Sequence, residues 1–168
     1  MIKTITLSDS EINLCRMLGN MRSLCNRGFD VKGEKRGKML PWESDEFGAI
    51  GEYGFCKLEN IFFDASVSPR KGGRDFTFMG RSFDMKTTNV ASGRLLVMPD
   101  ENMDVEYYAL AILTGNTLTF PGFTHTSVIR DESRMTDLGY GKVYAMQQSE
   151  LKQWKNNEES KDNSKGTG

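Results

Sequence analysis

The sequence feature that most constrains the fold is a pair of alternating segments on either side of a short turn. Residues 75–78 read Asp-Phe-Thr-Phe and residues 82–86 read Ser-Phe-Asp-Met-Lys, with Met79-Gly80-Arg81 between them. Alternation of polar and apolar residues is typical of strands with one buried face, and a short glycine-containing connection joins two such strands into a hairpin. Because successive side chains point to opposite faces, this hairpin has one apolar face and one polar face.

The length of the turn decides which side chains share the polar face. Asp84 and Lys86 lie there together, two residues apart on one strand. With a two-residue turn, formed by either the first two or the last two of the linking residues, Asp75 joins them, opposite Asp84 or Lys86 respectively. A three-residue turn would break this parity. The sequence leaves both two-residue alignments open.

Two carboxylates on one sheet face favour a site for a hard metal ion. Their repulsion falls when a divalent cation sits between them. Mg²⁺ takes oxygen ligands and normally uses one or two protein carboxylates, which Asp75 and Asp84 could supply, and the backbone carbonyl of Met85 could add another. Lys86 would place an ammonium group beside a metal-bound water and offset charge on a pentavalent phosphate. This arrangement predicts metal-assisted hydrolysis of a phosphodiester.

A second helix is predicted just before the hairpin. Ser44 is suited to cap it, with Asp45 and Glu46 in its first turn, where negative charge is favoured. Glu52 lies about 120° from the centre of the apolar stripe, a flank that Glu59 shares. The stripe that we expect to be buried comprises Phe47, Ile50, Gly54, Leu58, Ile61 and Phe62.

Three glycines make this helical segment unusual. Gly48, Gly51 and Gly54 recur at intervals of three residues, although glycine costs up to about 1 kcal/mol in a helix interior. They therefore indicate that something approaches the helix closely. The sheet and a DNA backbone are both candidates.

The motif Asp75, then Asp84-Met85-Lys86 after a short turn, with Glu52 on a preceding helix, resembles the PD-(D/E)XK, or restriction-endonuclease-like, nuclease superfamily. The resemblance covers roughly residues 44 to 120. It implies an α/β fold in which helices flank a mixed central β-sheet, the restriction-endonuclease-like core.

The resemblance also implies roles for individual residues. Asp75 and Asp84 would bind the metal, Lys86 would be the catalytic lysine, and Glu52 would assist the metal or its water. The family often has proline before its first aspartate, whereas Arg74 stands there in this chain. Many members of the superfamily act as dimers, so a homodimer is a further expectation by analogy.

Any nucleic-acid surface must be local, because the formal net charge of the chain is only -1. Two loops are locally basic, and as phosphate contacts they would make binding salt-dependent, although solvated surface is the alternative. An acidic stretch, comprising Asp100, Glu101, Asp104 and Glu106, is expected to face away from the substrate. The candidate nucleic-acid-binding residues are Lys35, Arg36 and Lys38 in the first basic loop and Arg70, Lys71 and Arg74 in the second.

The remaining sequence predicts one domain over residues 1–154 and a disordered tail over residues 155–168. A capping box at Ser8 and Glu11 predicts a first helix over about residues 8–25. Further strands are predicted at 95–98, 107–114, 117–119 and 143–146. The three cysteines are expected to be reduced and mostly buried.

Several functional classes lack their sequence signatures. No apolar run approaches the roughly 20 residues needed to cross a bilayer, and the start lacks the order of a signal peptide, so a cytoplasmic protein is expected. No GxxxxGK[ST] loop for ATP is present. His125 is the only histidine, which excludes multi-histidine metal sites.

The sequence thus predicts a metal-dependent nuclease that hydrolyses phosphodiester bonds in nucleic acid, with DNA as the expected substrate. Mg²⁺ is the expected cofactor, and Mn²⁺ is expected to be able to replace it. The alternatives are a catalytically inactive nucleic-acid-binding module and a protein-interaction module on the same fold.

Overall fold

The computed structural model describes residues 1–29, 41–69, 73–101 and 104–155. Two β-sheets and two long helices account for most of the described chain. The strands are β1 (Lys3–Thr6), β2 (Phe76–Phe78), β3 (Arg81–Thr88), β4 (Leu95–Val97), β5 (Tyr107–Thr114), β6 (Thr117–His125), β7 (Met135–Asp137) and β8 (Lys142–Met146). The helices are α1 (Asp9–Gly28), α2 (Pro41–Glu59) and the short α3 (Thr126–Ile129).

The larger sheet is mixed and lies between two different layers. Its strand order is β1-β6-β5-β3-β2, and β3 and β5 run parallel while the other neighbours are antiparallel. Helices α1 and α2 pack on one face around Phe55, Phe83 and Phe120. The smaller sheet, of order β4-β8-β7, packs on the other face around Tyr108 and Leu110. The expectation of an α/β fold with a mixed sheet is confirmed.

Helix α1 begins where the capping box predicts. The Ser8 side chain accepts a hydrogen bond from the Glu11 backbone N–H, and the Glu11 carboxylate accepts one from the Ser8 N–H. These two bonds satisfy backbone donors that the first helical turn leaves free. The helix continues to Gly28, three residues beyond the predicted end.

Helix α2 begins at Pro41, so the prediction of a cap at Ser44 is wrong. Proline is well suited to the first helical position because its fixed φ matches the helix and its missing N–H would have no partner there. Ser44, Asp45 and Glu46 therefore lie within the helix. Asn60 ends it in a left-handed conformation with φ 52°, and the Ile61 N–H donates to the Cys56 carbonyl.

The apolar stripe of α2 ends with the helix. Ile50 is fully buried, and Leu58 packs at the edge of the same core. Phe62 lies beyond Asn60 and is 83% exposed, so its predicted burial is wrong. The left-handed residue redirects the chain before the stripe can continue.

Two of the three glycines of α2, Gly51 and Gly54, mark a close approach to the large sheet, one of the two candidates that the sequence left open, whereas Gly48 does not. A Cβ at Gly51 would clash with the Thr87 side chain, and a Cβ at Gly54 would clash with Leu118. Both neighbours belong to the central strands β3 and β6. The helix can lie this close to the sheet only because these positions lack side chains.

The other elements follow the sequence with shifts at their ends. Strand β5 has the predicted limits, whereas β6 runs to His125, well past the predicted end at residue 119. Strands β1 and β7 were not predicted. Cys15 and Cys56 are buried, Cys25 is half-buried, and all three are free thiols, as expected. Within the described residues, no helix is long and apolar enough to cross a membrane. The predicted tail lies outside the described residues apart from Lys155.

Candidate active site

The hairpin turn has two residues, Met79 and Gly80, which selects one of the two alignments. Phe78 pairs with Arg81 and Phe76 with Phe83. Met79 and Gly80 both have positive φ, 50° and 73°, as a type I′ turn requires. Strand β2 begins at Phe76, so Asp75 lies just before the paired residues of the hairpin, and its alignment opposite Asp84 stays a prediction.

Strand β3 extends beyond the end of its hairpin partner, β2. Strand β2 pairs only with Arg81, Ser82 and Phe83, so from Asp84 onward β3 has β5 on one side and no strand of the hairpin on the other. We call this stretch, Asp84 to Thr88, the open edge. It is where the sheet offers backbone groups to something other than a strand.

Asp75 occupies the start of the open edge. Its backbone N–H donates to the Phe83 carbonyl at 2.8 Å, and its carboxylate Oδ2 accepts from the Met85 N–H at 2.7 Å. In an extended strand the N–H and carbonyl of one residue point to the same side. The Met85 carbonyl therefore points towards the same edge as the Asp75 carboxylate, as its predicted ligand role requires.

Glu52 and Asp84 act on the Asp75 carboxylate from two directions. Glu52 belongs to α2 and Asp84 to β3. Burial raises the pKa of Asp75 well above its ordinary value, and the charges of Glu52 and then Asp84 raise it further. The Met85 N–H and the Lys86 ammonium oppose this rise only in part. Three of the predicted residues therefore form one electrostatic unit with an excess of negative charge.

Glu52 is fixed by a residue that sequence reasoning missed. Arg22 of α1 donates from Nη1 to Glu52 Oε2 at 3.0 Å, and the two residues are only 7% and 8% exposed. The same guanidinium donates to the backbone carbonyls of Asp64 and Ser66. A sequence signal existed, because Arg22 continues the spacing of the buried Ile12, Cys15 and Gly19 on α1. A charged residue in such a stripe usually has a buried partner.

Lys86 lies on the same strand as Asp84 and bonds to two carboxylates. Its Nζ is 2.9 Å from Asp84 Oδ1 and 2.7 Å from Glu101 Oε2. The expectation that the acidic stretch faces away from the site is therefore wrong for Glu101, whose side chain is 5% exposed. Nothing in the sequence indicated this contact, because Glu101 lies between β4 and β5, outside the hairpin that carries Lys86.

The carboxylates near Asp75 are oxygen donors of the type that a hard divalent cation takes. Glu52, Asp75, Asp84 and Glu101 supply four negative charges and Arg22 and Lys86 two positive ones, a formal charge of -2 when all are ionised. In the part of the chain that the structure describes, no three His, Cys, Asp or Glu side chains form a group that could hold a metal ion by themselves. Mg²⁺ needs only one or two protein carboxylates, with water and substrate oxygens completing its shell.

The predicted nucleic-acid contacts are mostly outside the described residues, which include none of Lys35, Arg36, Lys38, Arg70 and Lys71. Arg74 is described and exposed, directly before Asp75.

Comparison with known proteins returns no match: no family model, no curated protein and no solved structure is similar to this chain.

Proposed function

We propose that the protein is a metal-dependent nuclease that hydrolyses phosphodiester bonds in nucleic acid, with DNA as the expected substrate, on a restriction-endonuclease-like core. One observation carries the proposal: Asp75 is half-buried at the open edge of β3, its carboxylate accepts from the Met85 N–H, and the charges of Glu52 and Asp84 act on it, with Lys86 two residues after Asp84 on β3. Such an arrangement is costly for the protein alone, and it becomes favourable when a cation and a phosphate are present.

The residues divide the work as follows. Asp75 and Asp84 would hold Mg²⁺ or Mn²⁺ with the Met85 carbonyl, and the ion would acidify a bound water and neutralise phosphate charge. Lys86 would orient the attacking water and stabilise the negative charge that develops on the phosphate oxygens. Glu52, whose Oε2 is held by Arg22, would accept a hydrogen bond from the water. The water oxygen bonds to phosphorus, one P–O ester bond breaks, and the leaving oxygen takes up a proton.

A catalytically inactive nucleic-acid-binding or protein-interaction module is the second candidate. The observation that favours it is the double ion pair of Lys86, because an ammonium shared by Asp84 and Glu101 has less charge to offer a phosphate. In the nuclease, phosphate must replace Glu101 as a partner of Lys86. The two candidates therefore differ in whether Lys86 can exchange a carboxylate for a phosphate.

The deciding experiment incubates labelled single-stranded, duplex and branched DNA with the protein in Mg²⁺, Mn²⁺ or EDTA. We expect metal-dependent cleavage that falls by about 10²–10³ or more in Asp84→Asn and in Lys86→Met. Matched controls are Asp137→Asn and Lys142→Met, an acid and a base that face each other across the pair of β7 and β8, in the smaller sheet. Intact DNA under all conditions, with no metal binding by calorimetry, would establish the inactive module instead.

A further inference from the structure

A cavity of about 370 Å³ adjoins Lys86, on the opposite side from the hairpin turn. It follows the open edge of β3 and is bounded by the loop that leads to β4, with Asn89 and Arg94 in its wall. Leu96 and the buried Leu110 give it an apolar lining, and Tyr140 contributes an aromatic ring that is 45% exposed. Its volume falls in the range of about 300–1,000 Å³ typical of small-molecule sites.

The charges that line this cavity are suited to an anion. Its two cationic residues are Lys86, which is paired with Asp84 and Glu101, and Arg94, and none of the described residues that line it is a carboxylate. Arg94 is half-buried and makes no hydrogen bond or ion pair to any residue that the structure describes. A partly buried guanidinium without a counter-ion is favourable when a phosphate or carboxylate binds it in bidentate geometry.

The wall of the cavity is held in place before any ligand arrives. The Gly93 N–H donates to the Val90 carbonyl at 2.8 Å, which closes the loop after β3 into a tight turn. Gln148, which follows β8, donates from Nε2 to the carbonyls of Ala91 and Gly93 at 2.9 and 2.8 Å. The loop that carries Arg94 is therefore tied to the smaller sheet, so the cavity is pre-formed.

We propose that this cavity is a subsite for one unpaired nucleotide next to the phosphate that is cleaved. The nucleotide's phosphate would bind Arg94, its base would stack on Tyr140 over the apolar lining of Leu96 and Leu110, and Asn89 would hydrogen-bond the base edge. A base inside a duplex is stacked and paired and cannot enter a cavity of this kind. The preferred substrate is therefore DNA with a single-stranded segment at the cleavage point, and this inference rests on the nuclease function proposed above.

Lys86 connects the subsite to the chemistry. Its ammonium pairs with Asp84 and Glu101, and Lys86 is also one of the residues that line the cavity, so this residue adjoins both the carboxylates and the nucleotide subsite. A nucleotide in the cavity would bring its neighbouring phosphate to Lys86. Occupancy of the subsite would then supply the anion that replaces Glu101.

The test measures binding separately from cleavage. Fluorescence anisotropy in EDTA compares a blunt, fully paired DNA duplex with the same duplex carrying a short single-stranded arm. We expect the armed DNA to bind about tenfold more tightly, and Arg94→Gln and Tyr140→Ala each to remove most of that preference. Tyr140→Phe should retain it, because stacking needs the ring alone. Lys142→Gln, an exposed cation on the smaller sheet, should leave the preference unchanged.

The outcomes separate this inference from the catalytic proposal. A preference for the armed DNA without metal-dependent cleavage would keep the subsite and refute the nuclease. Metal-dependent cleavage of paired and armed DNA at equal rates, or a preference that Tyr140→Ala does not change, would overturn the subsite alone. Binding of neither DNA would overturn it as well, and circular dichroism of each variant checks that its fold is intact.

Discussion

At each end of β3 a carboxylate accepts a hydrogen bond from a backbone N–H that has no neighbouring strand, but the charges around the two carboxylates differ. At one end, where β5 has not yet begun, Glu106 accepts a hydrogen bond from the Ser82 N–H and pairs with Arg81. At the other end, where β2 is absent, Asp75 accepts a hydrogen bond from the Met85 N–H. Each carboxylate replaces a strand that is missing from the edge.

Their protonation equilibria move in opposite directions. The Ser82 N–H and the Arg81 guanidinium lower the pKa of Glu106, which is therefore satisfied as an anion. Burial, Glu52 and Asp84 raise the pKa of Asp75. The ionised form of an edge carboxylate that is paired with a cation is already stabilised. The ionised form of a carboxylate surrounded by other acids is unfavourable until a cation binds beside it. The comparison separates a structural carboxylate from a candidate ligand.

The largest expected difference between the two acids is in catalysis. In the proposed nuclease, Asp75→Asn should reduce metal-dependent cleavage by about 10²–10³ or more, because it removes a proposed charged ligand while keeping an oxygen that accepts from Met85. Glu106→Gln, the matched change at the other end of β3, should leave the rate within about twofold. Initial rates at saturating Mg²⁺ measure both. Equal losses in the two variants would remove the distinction between them.

The dependence of stability on pH should differ in sign. Asp75 has a raised pKa in the folded protein, so its contribution becomes less favourable as pH rises from about 3.8 towards the folded value. Glu106 has a lowered pKa, so its contribution is present above about 4.5 and is lost as pH falls through the folded value. In EDTA at pH 7, Asp75→Asn should raise the free energy of unfolding by on the order of 1 kcal/mol, or about 2–4 °C in Tm.

Urea unfolding of the wild type, Asp75→Asn and Glu106→Gln between pH 3 and pH 8 measures this difference. The advantage of Asp75→Asn should shrink towards low pH, whereas Glu106→Gln should be less stable than the wild type near neutrality. An advantage of Asp75→Asn that does not depend on pH would show that Asp75 is not an unfavourable buried anion.

The smallest expected effect concerns the turn that aligns the two strands. Met79 is 63% exposed and has φ 50°, a conformation that asparagine tolerates better than a bulky residue. Met79→Asn should stabilise the fold by about 1 kcal/mol, measured as a shift in the urea midpoint at constant m. Cleavage should not change, since the register stays the same. Ala in place of Met79 is the control, because it removes the side chain and keeps the strain.

The sequence predicted the site to the extent that the site is local. Asp75, Asp84 and Lys86 fall within twelve consecutive residues, so strand alternation and a two-residue turn were enough to predict them together. Arg22 and Glu101 reach the site from elements distant in sequence, and the periodicity within one element does not determine which elements meet. The glycines of α2 gave one long-range signal, although they did not identify Thr87 and Leu118 as the partners.

The helix start and the second sheet show the same limit. Ser44 and Pro41 are both acceptable helix starts. The helix begins one turn earlier, at Pro41, because the fixed φ of proline matches the helical conformation. The smaller sheet depends on strands of three to five residues that have little pattern of their own. Side-chain packing around Tyr108 and Leu110 determines how the smaller sheet lies against the larger one.

The two-residue turn also limits how this gene can change in length. Insertion or deletion of one codon between β2 and β3, without a compensating bulge, would turn Phe76 and Phe78 from the apolar face of the hairpin to its polar face. A change of two codons would restore the faces, although it would move the strands along one another. Length variation in descendants of this sequence should therefore accumulate in other connections, and the hairpin should keep its residue count even where its composition changes.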